Sequence, residues 1–170
     1  MKWIATFLVG ATLLFGAAKL HPTDPITIKK DANATQVVRD PVYHLPVDKH
    51  PRFQAKIKLA NGKEILFCCP KAMFAFYLRP YLYPEYKIKS ELDFKELWVK
   101  DYISGEWIKA EGALYVFGSR LQSPKGDDLI PVRNQDALNV FKLRYGGSRV
   151  LTFPEIIHKG MGLIEYLDSP

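Results

Sequence analysis

From Arg52 to Ala60 apolar and polar side chains alternate, with Phe53, Ala55, Ile57 and Leu59 falling between Arg52, Gln54, Lys56 and Lys58. A period of two is the signature of a strand with one dry face. Asn61-Gly62 follows at once and suits the positive φ angles of a type I′ turn, so Lys63 to Cys68 is expected to return as the antiparallel partner. Pro70 fits a first helical turn, where its missing N–H is not needed, and Met73, Phe76 and Tyr77 then recur at helical spacing up to a stop near Pro80. Phe94 to Ile103 has strand character, Ser104-Gly105 reads as a turn, and Glu106 to Ala110 is expected to pair back.

The second half repeats the scheme. Ala113 to Gly118 reads as a strand and Asp128 to Val132 as its partner. Asn134 caps a helix whose apolar stripe is Ala137, Leu138, Phe141 and Tyr145, and Gly146-Gly147 ends it in the manner of a left-handed C-cap. Val150 to Phe153 is expected to be a short strand. Thr152 and Glu155 form a capping box for a final helix carrying Ile157, Met161 and Ile164. The halves align at an offset of 65 residues, placing Ala72 over Ala137, Met73 over Leu138 and Phe76 over Phe141. The expected fold is α+β: two tandem strand-strand-helix-strand units, 49–111 and 112–170, the second with the C-terminal helix. Each is too small to bury its own face alone, so the two must pack together.

Ahead of the units, Met1-Lys2-Trp3 leads into an almost wholly apolar run from Ile4 to Ala18, followed by Lys19. The run is short for a membrane-spanning helix, and Gly16 and Ala18 have the spacing a signal peptidase favours; residues 1–18 read as an export signal or an uncleaved N-terminal membrane anchor. Residues 19–48 carry Pro22, Pro25, Pro41 and Pro46 with little periodicity and are expected to form an extended arm. The net charge is +6, but basic residues are interspersed with acids, as in Lys87, Lys89, Glu91, Asp93, Lys95 and Glu96. This describes a solvated surface on an exported protein and points away from nucleic acid. Catalytic signatures such as Gly-x-Ser-x-Gly, a phosphate-binding glycine loop or His-Glu-x-x-His are missing from the sequence, so an enzyme is not expected.

The segments HPRFQAKI, FCCPKAMFAFYL, WVKDYISGEWIKAEGALYVFGS, LIPVRNQDALNVF and YGGSRVLTFPEI, in this order between Lys49 and Leu167, resemble the nitrous oxide reductase accessory protein family known as NosL. The resemblance implies an exported copper-binding protein of two strand-strand-helix-strand units. It also implies a periplasmic setting, soluble or held to the inner membrane by the N-terminal segment, and partners such as nitrous oxide reductase or its membrane assembly machinery. This chain departs from the family pattern. Where the family carries Cys-x-x-Cys-Gly-Met stands Asp40-Pro41-Val42-Tyr43-His44-Leu45; where it carries Gly-Pro-Met-Gly stands Ser123-Pro124-Lys125-Gly126; the usual histidine before the double glycine is Tyr145. The positions that the resemblance assigns to copper thus hold a carboxylate, two phenols and an ammonium.

Cu(I) favours soft donors, and beyond residue 18 the chain offers Cys68, Cys69, Met73 and Met161, with His21, His44, His50 and His158 as imidazoles. Neighbours on a regular strand point to opposite faces, so Cys68 and Cys69 reach one ion only where the backbone bends, as a strand-to-helix junction does. The dipole of the following helix and Lys71 are expected to favour the Cys69 thiolate, and Met73 lies one turn on. The candidate Cu(I) site is therefore Cys68, Cys69 and Met73. Other readings stay open: one cysteine as core filler beside an incidental surface thiol, or the pair closing an eight-membered disulfide ring or cross-linking a partner. Met73, aligned with Leu138, also reads as core. His44 and His50 could fold back onto a metal, and His158 reads as surface. The second function class is a metal-free protein-interaction module on the same fold, with the aromatic run Tyr81, Tyr83 and Tyr86 as its docking patch.

Overall fold

The alternating segment folds as β1 (Ala55–Leu59) and pairs through the Asn61-Gly62 turn with β2 (Glu64–Phe67), Ala55 opposite Phe67 and Ile57 opposite Ile65. On its other side β1 meets β3 (Phe94–Lys100), which in turn pairs with β4 (Trp107–Lys109), giving an antiparallel sheet of order β2-β1-β3-β4. Ala55, Ile57, Ile65, Phe67, Leu97 and Val99 form its dry face. Helix α1 (Pro70–Leu78) enters through its proline and is followed by two short 3-10 turns that each begin with proline, Pro80 and Pro84. The computed structural model describes residues 37–169, so the expected export signal and the arm up to residue 36 lie outside the described residues.

The second unit has the same element order. β5 (Leu114–Ser119) lies between β6 (Ile130–Val132) and β7 (Gly146–Thr152) in an antiparallel sheet, and α2 (Gln135–Tyr145) connects β6 to β7. The Asn134 carboxamide accepts the Ala137 N–H at 3.0 Å, the expected cap. All three residue pairs from the 65-residue offset are buried, Ala72, Met73 and Phe76 on α1 and Ala137, Leu138 and Phe141 on α2. The two units share one apolar core. Phe74 of α1 packs edge-on against Tyr115 of β5 at 5.3 Å between ring centres, so the face that neither unit could bury alone is closed by the other.

Four features differ from the sequence expectation. In the first hairpin Gly62 (φ 84°) takes a positive φ but Asn61 does not, and the Leu59 amide donates to the Lys63 carbonyl at 2.9 Å, so residues 60–62 form a three-residue loop in place of the expected type I′ turn. The double glycine ends α2 and also begins β7, which is longer than expected: Gly147 has φ +131°, and a Cβ there would lie 2.3 Å from Val116 Cγ1. Helix α3 (Phe153–Asp168) starts with the expected capping box, but Gly160 (φ 58°) breaks its regular path. The break re-phases the buried stripe to Ile156, Ile164 and Leu167, leaving Ile157 and Met161 half-buried. Residues 37–48, the last part of the expected arm, form a closed turn. There the buried Asp40 carboxylate accepts the N–H groups of Val42, Tyr43 and Leu45, and Val47 is sealed against the core.

Asp101, just past β3, is the polar joint between the units. Its carboxylate accepts the Ser104 hydroxyl (2.6 Å) and amide, and across the unit boundary it accepts the Arg133 amide (3.2 Å) and Nε (3.1 Å). Burial alone would push this carboxyl up, but the bonds from Ser104 and Arg133 outweigh it and hold it below the ordinary range. A depressed folded-state value means that the stabilisation is present above the unfolded-chain carboxyl range, about pH 4, and is lost as pH falls through the folded value. Asp101→Asn is expected to cost about 2 kcal/mol at pH 7 in urea unfolding and to flatten the loss of stability below pH ~4. An unchanged midpoint would show that the joint contributes nothing.

Candidate metal centre

Where β2 ends, the chain bends and α1 begins, with Cys69 as its N-cap in extended conformation (φ −161°, ψ 162°). The bend turns the neighbouring sulfurs toward each other. Cys68 Sγ and Cys69 Sγ lie 3.8 Å apart, both are free thiols, and both are fully buried. Met73 follows one turn later, its N–H bonded to the Cys69 carbonyl at 3.3 Å and its side chain sealed in the core. The structure thus brings Cys68 and Cys69 together and places Met73 in the adjoining core. His44, His50 and His158 are exposed, and among the described residues no group of three or more His, Cys, Asp and Glu side chains is arranged to hold a metal.

The start of α1 is capped from the other unit. Asp128, wholly buried, accepts the Lys71 N–H at 2.9 Å and its neighbour Leu129 N–H at 2.7 Å through Oδ1. The Cys69 thiol and Ser123 hydroxyl face this carboxyl and favour its ionised form, yet neither reaches hydrogen-bond geometry, and Oδ2 has no partner among the described residues. Burial dominates and raises the Asp128 carboxyl above its ordinary range. Burial, reinforced by Cys68 and Asp128, also raises the Cys69 thiol. This corrects the expectation of a thiolate. Part of the positive end of the helix is directed at Asp128, and the Lys71 ammonium is directed elsewhere.

That ammonium is the group sequence reasoning missed. Lys71 is fully buried, and its Nζ donates to the carbonyls of Lys125 (3.1 Å) and Leu167 (3.0 Å) and pairs with Asp168 Oδ1 at 2.9 Å. The Tyr43 hydroxyl donates to the same Asp168 carboxylate at 2.9 and 3.0 Å, and its ring centre lies 5.8 Å from Lys71 Nζ and 5.5 Å from Lys125 Nζ. Burial, then Asp168, pushes the Tyr43 phenol well above its usual value, keeping it a donor. Of the positions that the resemblance assigned to copper, Tyr43 and Lys125 therefore meet, around an internal cation. Asp40 is occupied by its own turn, and Tyr145 lies apart, packed on Tyr102 and Phe141. A lysine in the first turn of an otherwise apolar helix was the one sequence signal that could have exposed this cluster.

Residues 32–161 match the family described as NosL. The chain belongs to the NosL family. Its fold is similar to the crystal structure of the copper chaperone NosL from Shewanella denitrificans, at a TM-score of 0.58 and 20% identity over 70% of this chain and 89% of that one. The solution structure of apo-NosL from Achromobacter cycloclastes is also similar, at a TM-score of 0.41 and 22% identity, over 60% and 83% of the two chains. A search of curated proteins finds no match. The shared NosL fold is mixed α+β, with two sheets and a C-terminal helix.

Replacing Lys71 by Met removes a buried cation from two carbonyls and a partly exposed carboxylate. The expected loss is about 2 kcal/mol of unfolding free energy, at the low end for a broken buried pair because water reaches Asp168. Amide exchange should quicken first in the last turn of α3 and in the 40–45 turn. Uniform quickening across β1 and β3 would contradict a local tether.

Proposed function

We propose that this NosL-family chain is an exported, non-enzymatic copper-handling protein in which Cys68 and Cys69 hold Cu(I) as cargo. On this reading it assists copper delivery to a periplasmic copper enzyme such as nitrous oxide reductase, or to its membrane assembly machinery. Membership of the family supports the copper role. The observation that carries the site is the convergence of two sulfurs at 3.8 Å. Metal–thiolate bonds are about 2.3 Å, so two thiolates of a three-coordinate ion stand about 4 Å apart, and the pair needs little rearrangement to share one. Met73 is the nearest thioether in sequence and would supply the third soft donor.

The same geometry sets the difficulty of loading. Both thiols are sealed; Tyr43 and Asp128 stand beside Cys69, and Ser123 faces Asp128. Cargo entry therefore requires the 40–45 turn or the 123–126 turn to move aside. Each thiol must also give up its proton to bind, so raising the Cys69 value makes loading weaker in acid and tighter as pH rises.

A second reading is a metal-free interaction module. The buried Lys71 ammonium favours it, because it fills the meeting point of Tyr43, Lys125 and Asp168 with a charge the chain already carries. Titrating the reduced protein with Cu(I) against a competing chelator separates the two. The copper reading expects one equivalent bound, with affinity falling at least about a hundredfold in Cys68→Ala and in Cys69→Ala while circular dichroism stays native. Absence of binding by the parent protein would leave the interaction module standing, and full binding by both variants would overturn the thiol pair as the copper site.

A further inference from the structure

We infer that the cleft between the β5–β7 face and the second half of α3 is a binding site for a small soluble organic anion with an apolar body. The cleft measures about 570 Å³, inside the usual range for small-molecule sites, and shares no lining residue with the thiol pair. Phe117 of β5 and Tyr166 of α3 meet edge to face at 5.9 Å, and Leu163 completes the apolar wall. Gly162, with open space where a side chain would stand, and the break at Gly160 keep the helix from filling the gap.

Two cations face this apolar wall. Arg149 stands directly opposite Phe117 in the β5–β7 register, and Lys159 lines the cleft from α3. Both are exposed, and neither has an acidic partner within ion-pair distance among the described residues. The acid that enters the narrower end of the cleft, Glu155, is turned to the helix start, where Oε2 accepts the Thr152 amide at 2.7 Å and hydroxyl at 2.8 Å. An inorganic anion would satisfy the cations and leave the aromatic wall wet. A neutral hydrocarbon would cover the wall and leave the cations without a partner. A carboxylate or sulfonate on an alkyl or aromatic body satisfies both.

Decanoate, below its micelle concentration, is the direct probe, with decan-1-ol as its uncharged counterpart, each titrated calorimetrically into the full chain in low salt. The expected result is one site for decanoate with Kd below about 1 mM and decan-1-ol at least about tenfold weaker. Amide shifts should centre on 117, 148–149 and 159–166. Arg149→Gln with Lys159→Gln, both exposed and remote from the core, should lower decanoate affinity about tenfold while leaving decan-1-ol unchanged; Tyr166→Ala should weaken both. Equal affinity for acid and alcohol, decanoate affinity unchanged in the double variant, shifts centred elsewhere, or no saturation by about 10 mM decanoate would each overturn the assignment.

Discussion

A lysine ammonium cannot sit in a protein interior without partners, and in this fold the partners of Lys71 come from three distant parts of the chain. The Lys125 carbonyl belongs to the turn between β5 and β6, the Leu167 carbonyl and Asp168 carboxylate to the last turn of α3, and the Tyr43 ring to the turn ahead of β1. The desolvation cost of one cation therefore fixes where all three segments lie relative to α1. Asp128 does the same for the helix amide of that residue, reaching from the second unit to cap the first. Backbone and side chain of a single residue hold both units to the start of α1.

The two thiols occupy the same junction, which explains their character. Cys69 has no side-chain capping bond and points its sulfur at Cys68 and at a buried carboxyl, so its surroundings oppose charge. A reactive surface thiol would need the reverse arrangement, with a cation nearby and solvent access. What remains is a latent soft-donor pair, covered, with Cys69 held as the thiol. Whether it carries metal depends on opening the cover, and the cover is built from the segments that Lys71 tethers.

Much of this was legible from local pattern. The β1–β2 hairpin could be read because alternation and an Asn-Gly turn are both short-range signals, and α2 because Asn134 and the double glycine mark its ends. The internal offset located the core positions of both helices. The bend that brings Cys68 and Cys69 together was also foreseeable from the strand-to-helix junction. The protonation of Cys69 was not, because it depends first on burial at the junction, then on Cys68 and on Asp128, far along the chain, and on an ammonium that turns away from the thiols. The re-phased stripe of α3 follows from one backbone angle at Gly160, and the closed turn at 37–48 from side-chain bonds of Asp40; neither leaves a periodic trace.

The hydrogen bonds from the Tyr43 hydroxyl to Asp168 span 125 positions and bring the first described turn against the final helical turn. Entry and exit of the fold are thus neighbours, and connectivity in the order given is only one way to thread it. A permuted chain, opened at the exposed Asn61-Gly62 hairpin and spliced across that contact, would retain each unit's ladder partners while exchanging which segment emerges first from the ribosome.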